Sequence, residues 1–159
     1  LVGLQDRGDD FGVLFTERPT TMPTHAGQVA FPGGKIDAAD KSAADAALRE
    51  AEEEVGVPRA QVRLIGQADP YETATGYLVS LFIGLLPPQF EPTPDPHEVA
   101  GVFETPLSFL MQPENHERHE KEWGGKLRSY YAMPHNGKYI WGATAGMIKA
   151  LYDRLYSED

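Results

Sequence analysis

The chain has 159 residues, 41% hydrophobic and 24% charged, which is the make-up of an ordinary globule, and a single domain over 1–159 is expected. Lysine and arginine number 14 against 24 aspartates and glutamates, a net charge of −10, which argues against a general binder of nucleic acid or anionic membranes. The absence of cysteine excludes disulfides and thiolate metal sites, and no apolar run approaches the ~20 residues of a membrane span.

Residues 1–4 and 11–16 read as strands around an Asp-rich turn, DRGDD. A loop is expected over 20–26 and a short strand over 28–31, entering a Pro-Gly-Gly turn that lets backbone pass close to a ligand. The alanine-rich stretch 43–55 reads as a helix. Ser42 and Asp45 form a capping pair before it, and Gly56 and Pro58 stop it. Strands are expected over 62–67 and 77–85, separated by the polar turn DPYETATG, and a Pro-rich acidic loop covers 87–96. Another strand covers 99–104, and a short helix runs from Pro106 to Leu110. The polar stretch 111–126 reads as a loop or weak helix, and 128–133 with 138–141 as a hairpin around HNG. A final amphipathic helix spans 143–156, with Met147, Ile148, Leu151 and Leu155 as its buried stripe. Strands mixed with two main helices predict an α/β sandwich, a mixed sheet between helices.

The most informative segment is 31–57, FPGGKIDAADKSAADAALREAEEEVGV. Residues three and four apart share a helix face, so Glu50, Glu53 and Glu54 converge on one stripe while Glu52 points away. Converging carboxylates repel and call for a counter-ion; a hard divalent cation with oxygen ligands, Mg²⁺ above all, is the natural one. Glutamate runs on helices are usually solvated faces, so the stripe alone does not decide the matter.

The whole string does more. It resembles the Nudix box of the Nudix hydrolases, G-x5-E-x7-R-E-U-x-E-E-x-G-U with U aliphatic. Gly34, Arg49, Glu50, Ala51, Glu53, Glu54, Gly56 and Val57 match in order. Asp40 stands where the box has Glu, and one extra residue separates it from Arg49. Both departures also occur in the coenzyme A pyrophosphatase branch, which the chain resembles more closely. Of that branch's upstream motif, Leu14, Thr16, Arg18, Gly27, Phe31, Pro32, Gly33 and Gly34 match at the right spacing. Phe15, Pro19 and Pro23 depart from it. Pro23 replaces an Arg, so the positive charge must come from elsewhere or binding must be weaker.

The resemblance implies the Nudix fold, an α/β/α sandwich, and Mg²⁺-dependent hydrolysis of the pyrophosphate of coenzyme A or a derivative, with Mn²⁺ as a substitute ion. It implies a metal held by Glu50 and Glu54, with Glu53 completing the shell or helping to deprotonate water. It also implies a further ligand in the Gly34 carbonyl and a positioning role for Arg49, paired with a ligand carboxylate. A further acid often completes the site in this family. Glu72, Glu98 and Glu104 are the candidates, and Glu98 is preferred for its loop-to-strand junction. Arg18, His25, Gln28 and Lys35 are the candidate substrate contacts. His25 and Gln28 either face the nucleotide or order the loop, and both readings stay open. Lys126 and Arg128 read as solvated surface cations.

Other chemistries are excluded on spacing. His116 and His119 in NHERHEKE miss the H-E-x-x-H zinc pattern by one position. Gly33-Gly34-Lys35 is too short for a phosphate loop, and there is no G-x-S-x-G elbow. Tyr71, Tyr77, Tyr130, Tyr131 and Trp141 read as core or hairpin residues. The expected partner is a small nucleotide substrate, with no nucleic acid or membrane and a monomeric or homodimeric chain. With no signal-peptide pattern visible, cytoplasm is the simplest location. The alternatives are a Nudix activity on ADP-ribose, dinucleoside polyphosphates or nucleoside triphosphates, and a nucleotide-binding domain without catalysis.

Overall fold

The computed structural model describes residues 1–21 and 27–157. In chain order the strands are β1 (Val2–Asp6), β2 (Phe11–Glu17), β3 (Val29–Ala30), β4 (Arg63–Gln67), β5 (Tyr71–Glu72), β6 (Leu78–Val79), β7 (Phe82–Leu85), β8 (Gly101–Pro106), β9 (Glu117–Trp123), β10 (Lys126–His135) and β11 (Lys138–Trp141). The helices are α1 (Ala43–Val55), α2 (Leu107–Leu110) and α3 (Gly142–Tyr156). The loop expected over 20–26, with Pro23 and His25, lies largely outside the described residues.

The main sheet runs β3-β2-β1-β7-β4, with β8 along the other edge of β2. It is mixed, because β1 and β7 are parallel while every other pair in it is antiparallel. The sequence of β2 explains why the sheet is covered on both faces. Side chains alternate along a strand. Val13 and Phe15 enter one core with Leu110, Met133, Ile140 and Ile148, while Leu14 enters another with Ala51, Val55 and Phe82. Helix α1 thus packs on one face, and α3 with the inner side of β10–β11 packs on the other. This is the expected α/β sandwich. Full burial of Phe15, Met133 and Ile140 contributes about 1.5–3 kcal/mol each.

Three expectations are corrected. The stretch read as loop or weak helix over 111–126 contains β9, which pairs with β10 from Glu117↔Ala132 to Trp123↔Lys126. Its sequence ERHEKEW shows no apolar alternation, because neither face of β9 reaches the core. The available signal was Gly124-Gly125, whose φ of 58° and 75° make the two-residue hairpin turn that only glycine forms easily. The strand expected over 77–85 breaks after Val79: β6 pairs with β5, and β7 inserts between β1 and β4. The run is apolar on both sides of Ser80, so its composition does not announce the change of partner. Leu155 is exposed, in a last turn of α3 where residues 154–156 all face solvent, while Ile148 is buried.

Candidate active site

Helix α1 carries the site, and its ends are built locally. The Ser42 hydroxyl accepts from Asp45 N at 3.1 Å, and Asp45 accepts from Lys41 N at 3.1 Å. Gly56 adopts φ 78° at the C-terminus. A Cβ there would also collide with the Thr93 hydroxyl. The exposed carbonyls of the last turn are taken up by the following loop: Thr93 N donates to Val55 O at 2.9 Å, and Asp95 N to Glu54 O at 3.0 Å. A turn closed by Glu98 N and Val99 N on Asp95 O, with Val99 buried behind it, sets Glu98 beside the helix.

The result is a group of three carboxylates. Glu50, Glu54 and Glu98 each offer an oxygen, and these lie within 4.8 Å of one another. Of the three acids outside the helix weighed from sequence, only Glu98 reaches this group. Glu72 lies on β5, opposite Leu78, and Glu104 on β8 is bound by Arg7. Glu53 stands outside the group, exposed to solvent, with Arg49 Nη1 at 3.3 Å from its carboxylate.

The Pro-Gly-Gly turn lies on these carboxylates. Gly33 N donates to Glu54 Oε2 at 3.2 Å. A Cβ on Gly34 would come within 2.5 Å of Glu50 Oε1, so only glycine lets the chain pass here. Burial in this packing pushes the Glu54 carboxyl up to about 7; the bond from Gly33 opposes that shift, and Glu50 and Glu98 add to it. The Glu98 carboxyl is also raised, by burial first and then by Glu50 and Asp95, with Arg18 opposing. A cluster of hard oxygen donors carrying this much unrelieved repulsion fits a divalent cation.

Arg49 holds the cluster from the side. It forks onto Asp40, Nε to Oδ1 at 2.8 Å and Nη2 to Oδ2 at 3.0 Å, and reaches Glu50 Oε1 at 3.1 Å and Lys35 O at 3.3 Å. Asp40 also accepts from Asp37 N at 2.7 Å, and its carboxyl is held near 2 by the guanidinium and that backbone bond. Asp40 was legible only as a departure from the box. The loop geometry shows why it is compatible with the fold: the guanidinium fork ties the loop to the helix and orients Glu50.

Among the proposed substrate contacts, Arg18 is half-buried and acts on the Glu98 carboxylate. Its backbone N–H donates to the backbone carbonyl of Gln28 at 2.9 Å. Lys35 is exposed, with Nζ 5.9 Å from the Tyr77 ring. His25 lies outside the described residues. Beside Gly33, Gly34 and Lys35 opens a cavity of about 530 Å³, walled by Ala43, Ala46 and Ala47 of α1, Tyr77–Leu81 and Met147. It is mainly apolar. The sequence carried no sign of it, because small alanines that form space look the same as alanines that form helix.

A family model of the NUDIX domain matches residues 1–124. The chain is 42% identical over 143 residues to an uncharacterized Nudix hydrolase, NudL, of Photorhabdus laumondii, covering 90% of this chain and 76% of that protein. It is 39% identical over 140 residues to NudL of Escherichia coli K12, likewise uncharacterized, covering 88% of this chain and 73% of that one. In shape it is similar to the NUDIX domain of Shewanella oneidensis NrtR complexed with ADP ribose, with TM-score 0.60 at 19% identity over 98% of this chain and 84% of that chain. It is also similar to a C. elegans Ap4A hydrolase, with TM-score 0.57 at 17% identity over 67% of this chain and 77% of that chain. At these identities the shape speaks for the fold.

Proposed function

The chain belongs to the Nudix hydrolase family, whose members act on pyrophosphate bonds with a divalent metal, and on that premise we propose that it hydrolyses coenzyme A or a derivative to 4′-phosphopantetheine and 3′,5′-ADP. The observation that carries the substrate is the upstream motif: Leu14, Thr16, Arg18, Gly27 and the Phe31–Gly34 turn stand at the spacing of the coenzyme A branch. The apolar cavity beside Gly34 supports it, since it leaves room for an organic arm next to the carboxylates.

In this reading Glu50, Glu54 and Glu98 hold Mg²⁺, with the Gly34 carbonyl as a further donor. The ion supplies charge neutralisation at the phosphate oxygens and a more acidic water. Arg49 is a positioning residue that keeps Glu50 aimed through Asp40. Glu53, solvent-facing and outside the three-carboxylate group, is the proton acceptor. Arg18, His25, Gln28 and Lys35 bind the substrate's phosphates and nucleotide.

The test is hydrolysis of coenzyme A beside ADP-ribose and a dinucleoside polyphosphate, with Mg²⁺ and with chelator, products resolved by chromatography. Metal-dependent release of 3′,5′-ADP well above the other turnovers is expected. Preferential cleavage of ADP-ribose or the dinucleoside polyphosphate would retain the pyrophosphatase and discard the coenzyme A assignment.

A further inference from the structure

The three-stranded sheet has two chemically different faces. In register, Trp123 lies opposite Lys126, Lys121 opposite Arg128, His119 opposite Tyr130, and Ala132 opposite Trp141. Directly opposed residues share a face, so all of these point one way. The intervening residues point the other way: Glu120, Glu122, Leu127 and Tyr131, then Met133 and Ile140, which are fully buried in the core. Strand alternation thus puts Glu120 and Glu122, with Arg118, on one side and Trp123 with Lys121 on the other, where the single acid of β9, Glu117, lies at the far end of the strand, 2.9 Å from His119 Nε2.

The outer face is accessible. Trp123 is 37% exposed, and Lys121, Lys126 and Arg128 around it are exposed. None of these three cations forms an ion pair among the described residues; Lys121 instead lies 5.4 Å over the Trp123 ring. The rings continue inward, with Trp123 to Tyr130 at 5.8 Å and Tyr130 to Trp141 at 5.7 Å. An unpaired cationic triplet around an indole is out of keeping with a chain of net charge −10.

From this juxtaposition we infer that the outer face of the β9–β10 hairpin is a binding site for a single nucleotide, with its base against Trp123 and its phosphates on Lys121, Lys126 and Arg128. Three positive charges match the charge of a nucleoside di- or triphosphate, and an indole offers a π surface to a base. The chain's overall negative charge opposes a long polyanion, which selects a free nucleotide over a nucleic-acid strand. The inference does not depend on which pyrophosphate the carboxylate cluster cleaves.

Both tryptophans of the chain, Trp123 and Trp141, lie on this face, so fluorescence excited selectively at tryptophan reports on it. The experiment titrates the protein with adenosine triphosphate at low salt in chelator, where metal-dependent turnover is silent. Saturable quenching is expected, weakened about ten-fold or more by Lys121→Glu with Arg128→Glu and kept in Arg128→Lys. Glu98→Gln is expected to leave the quenching unchanged. On the wild-type protein alone, raising the salt must weaken the binding. The inference is overturned by absence of saturable quenching, by salt-insensitive binding, or by equal binding of inorganic triphosphate, which would leave the ring no role. It is equally overturned if a single-stranded oligonucleotide or an anionic phospholipid vesicle binds this face more tightly than the nucleotide.

Discussion

Glu54→Gln tests the electrostatics of the site without reference to any substrate. In the metal-free protein the Glu54 carboxyl titrates near 7, against an ordinary 4.5, because it is packed under Gly33 beside Glu50 and Glu98. The folded state therefore binds the proton more tightly than the unfolded state. Below pH 4.5 the group is protonated in both states and contributes nothing to the pH dependence. Between 4.5 and 7 the unfolded chain ionises first, so stability falls as pH rises, and above 7 the loss is complete. A shift of this size corresponds to roughly 3 kcal/mol. Glutamine keeps an acceptor for Gly33 N and never ionises, so the variant lacks this loss. In chelator, urea unfolding is expected to give a variant more stable than the wild type by up to roughly 3 kcal/mol at pH 8. With urea slopes of about 1–3 kcal/mol/M, that is a midpoint difference of about 1 M or more. The difference shrinks to about 1 kcal/mol near pH 5 and vanishes below about pH 4. With the proposed metal site, saturating Mg²⁺ is expected to reverse the order, because an ion that binds only the folded carboxylates stabilises the wild type. Parallel wild-type and variant curves from pH 5 to 8 in chelator would refute this account of Glu54.

Further outcomes follow from the loop and the helix ends. Gly34→Ala drives a methyl group into the Glu50 carboxylate and is expected to weaken Mg²⁺ binding about ten-fold or more by calorimetric titration. Gly33→Ala, whose Cβ meets nothing closer than 3.9 Å, is expected to leave that binding nearly unchanged. Arg49→Lys keeps the charge and loses the fork onto Asp40, so kcat/KM is expected to fall about ten- to a hundred-fold with little change in fold by circular dichroism. Gly56→Ala meets both the left-handed backbone and Thr93, and a loss of about 1–3 kcal/mol is expected in thermal unfolding. Met133→Ala empties the centre of the larger core, at an expected cost of about 2–5 kcal/mol by the same measurement.

Local information was sufficient wherever the physics is local. The limits of α1 were legible because Ser42, the alanine run and Gly56 act within a few residues, and helix periodicity alone put Glu50 and Glu54 on one face. β9 was legible only through its Gly124-Gly125 turn, since a strand held by backbone pairing to β10 needs no apolar alternation of its own. The break after Val79 left little trace, because the run is apolar on both sides of it, while β6 joins the nearby β5 and β7 joins the distant β1 and β4.

The sequence by itself determined the helix, its carboxylate stripe, the glycine turn and the alternation that covers the main sheet on two faces. All of these follow from backbone geometry and side-chain spacing over short distances. Only the tertiary structure decided which acid joins Glu50 and Glu54. Glu98 lies 44 residues beyond Glu54 in the chain, and it is brought there by Thr93 and Asp95 satisfying the last carbonyls of α1. Glu98 meets the helix through hydrogen bonds between segments far apart in sequence, and no local pattern encodes those partners.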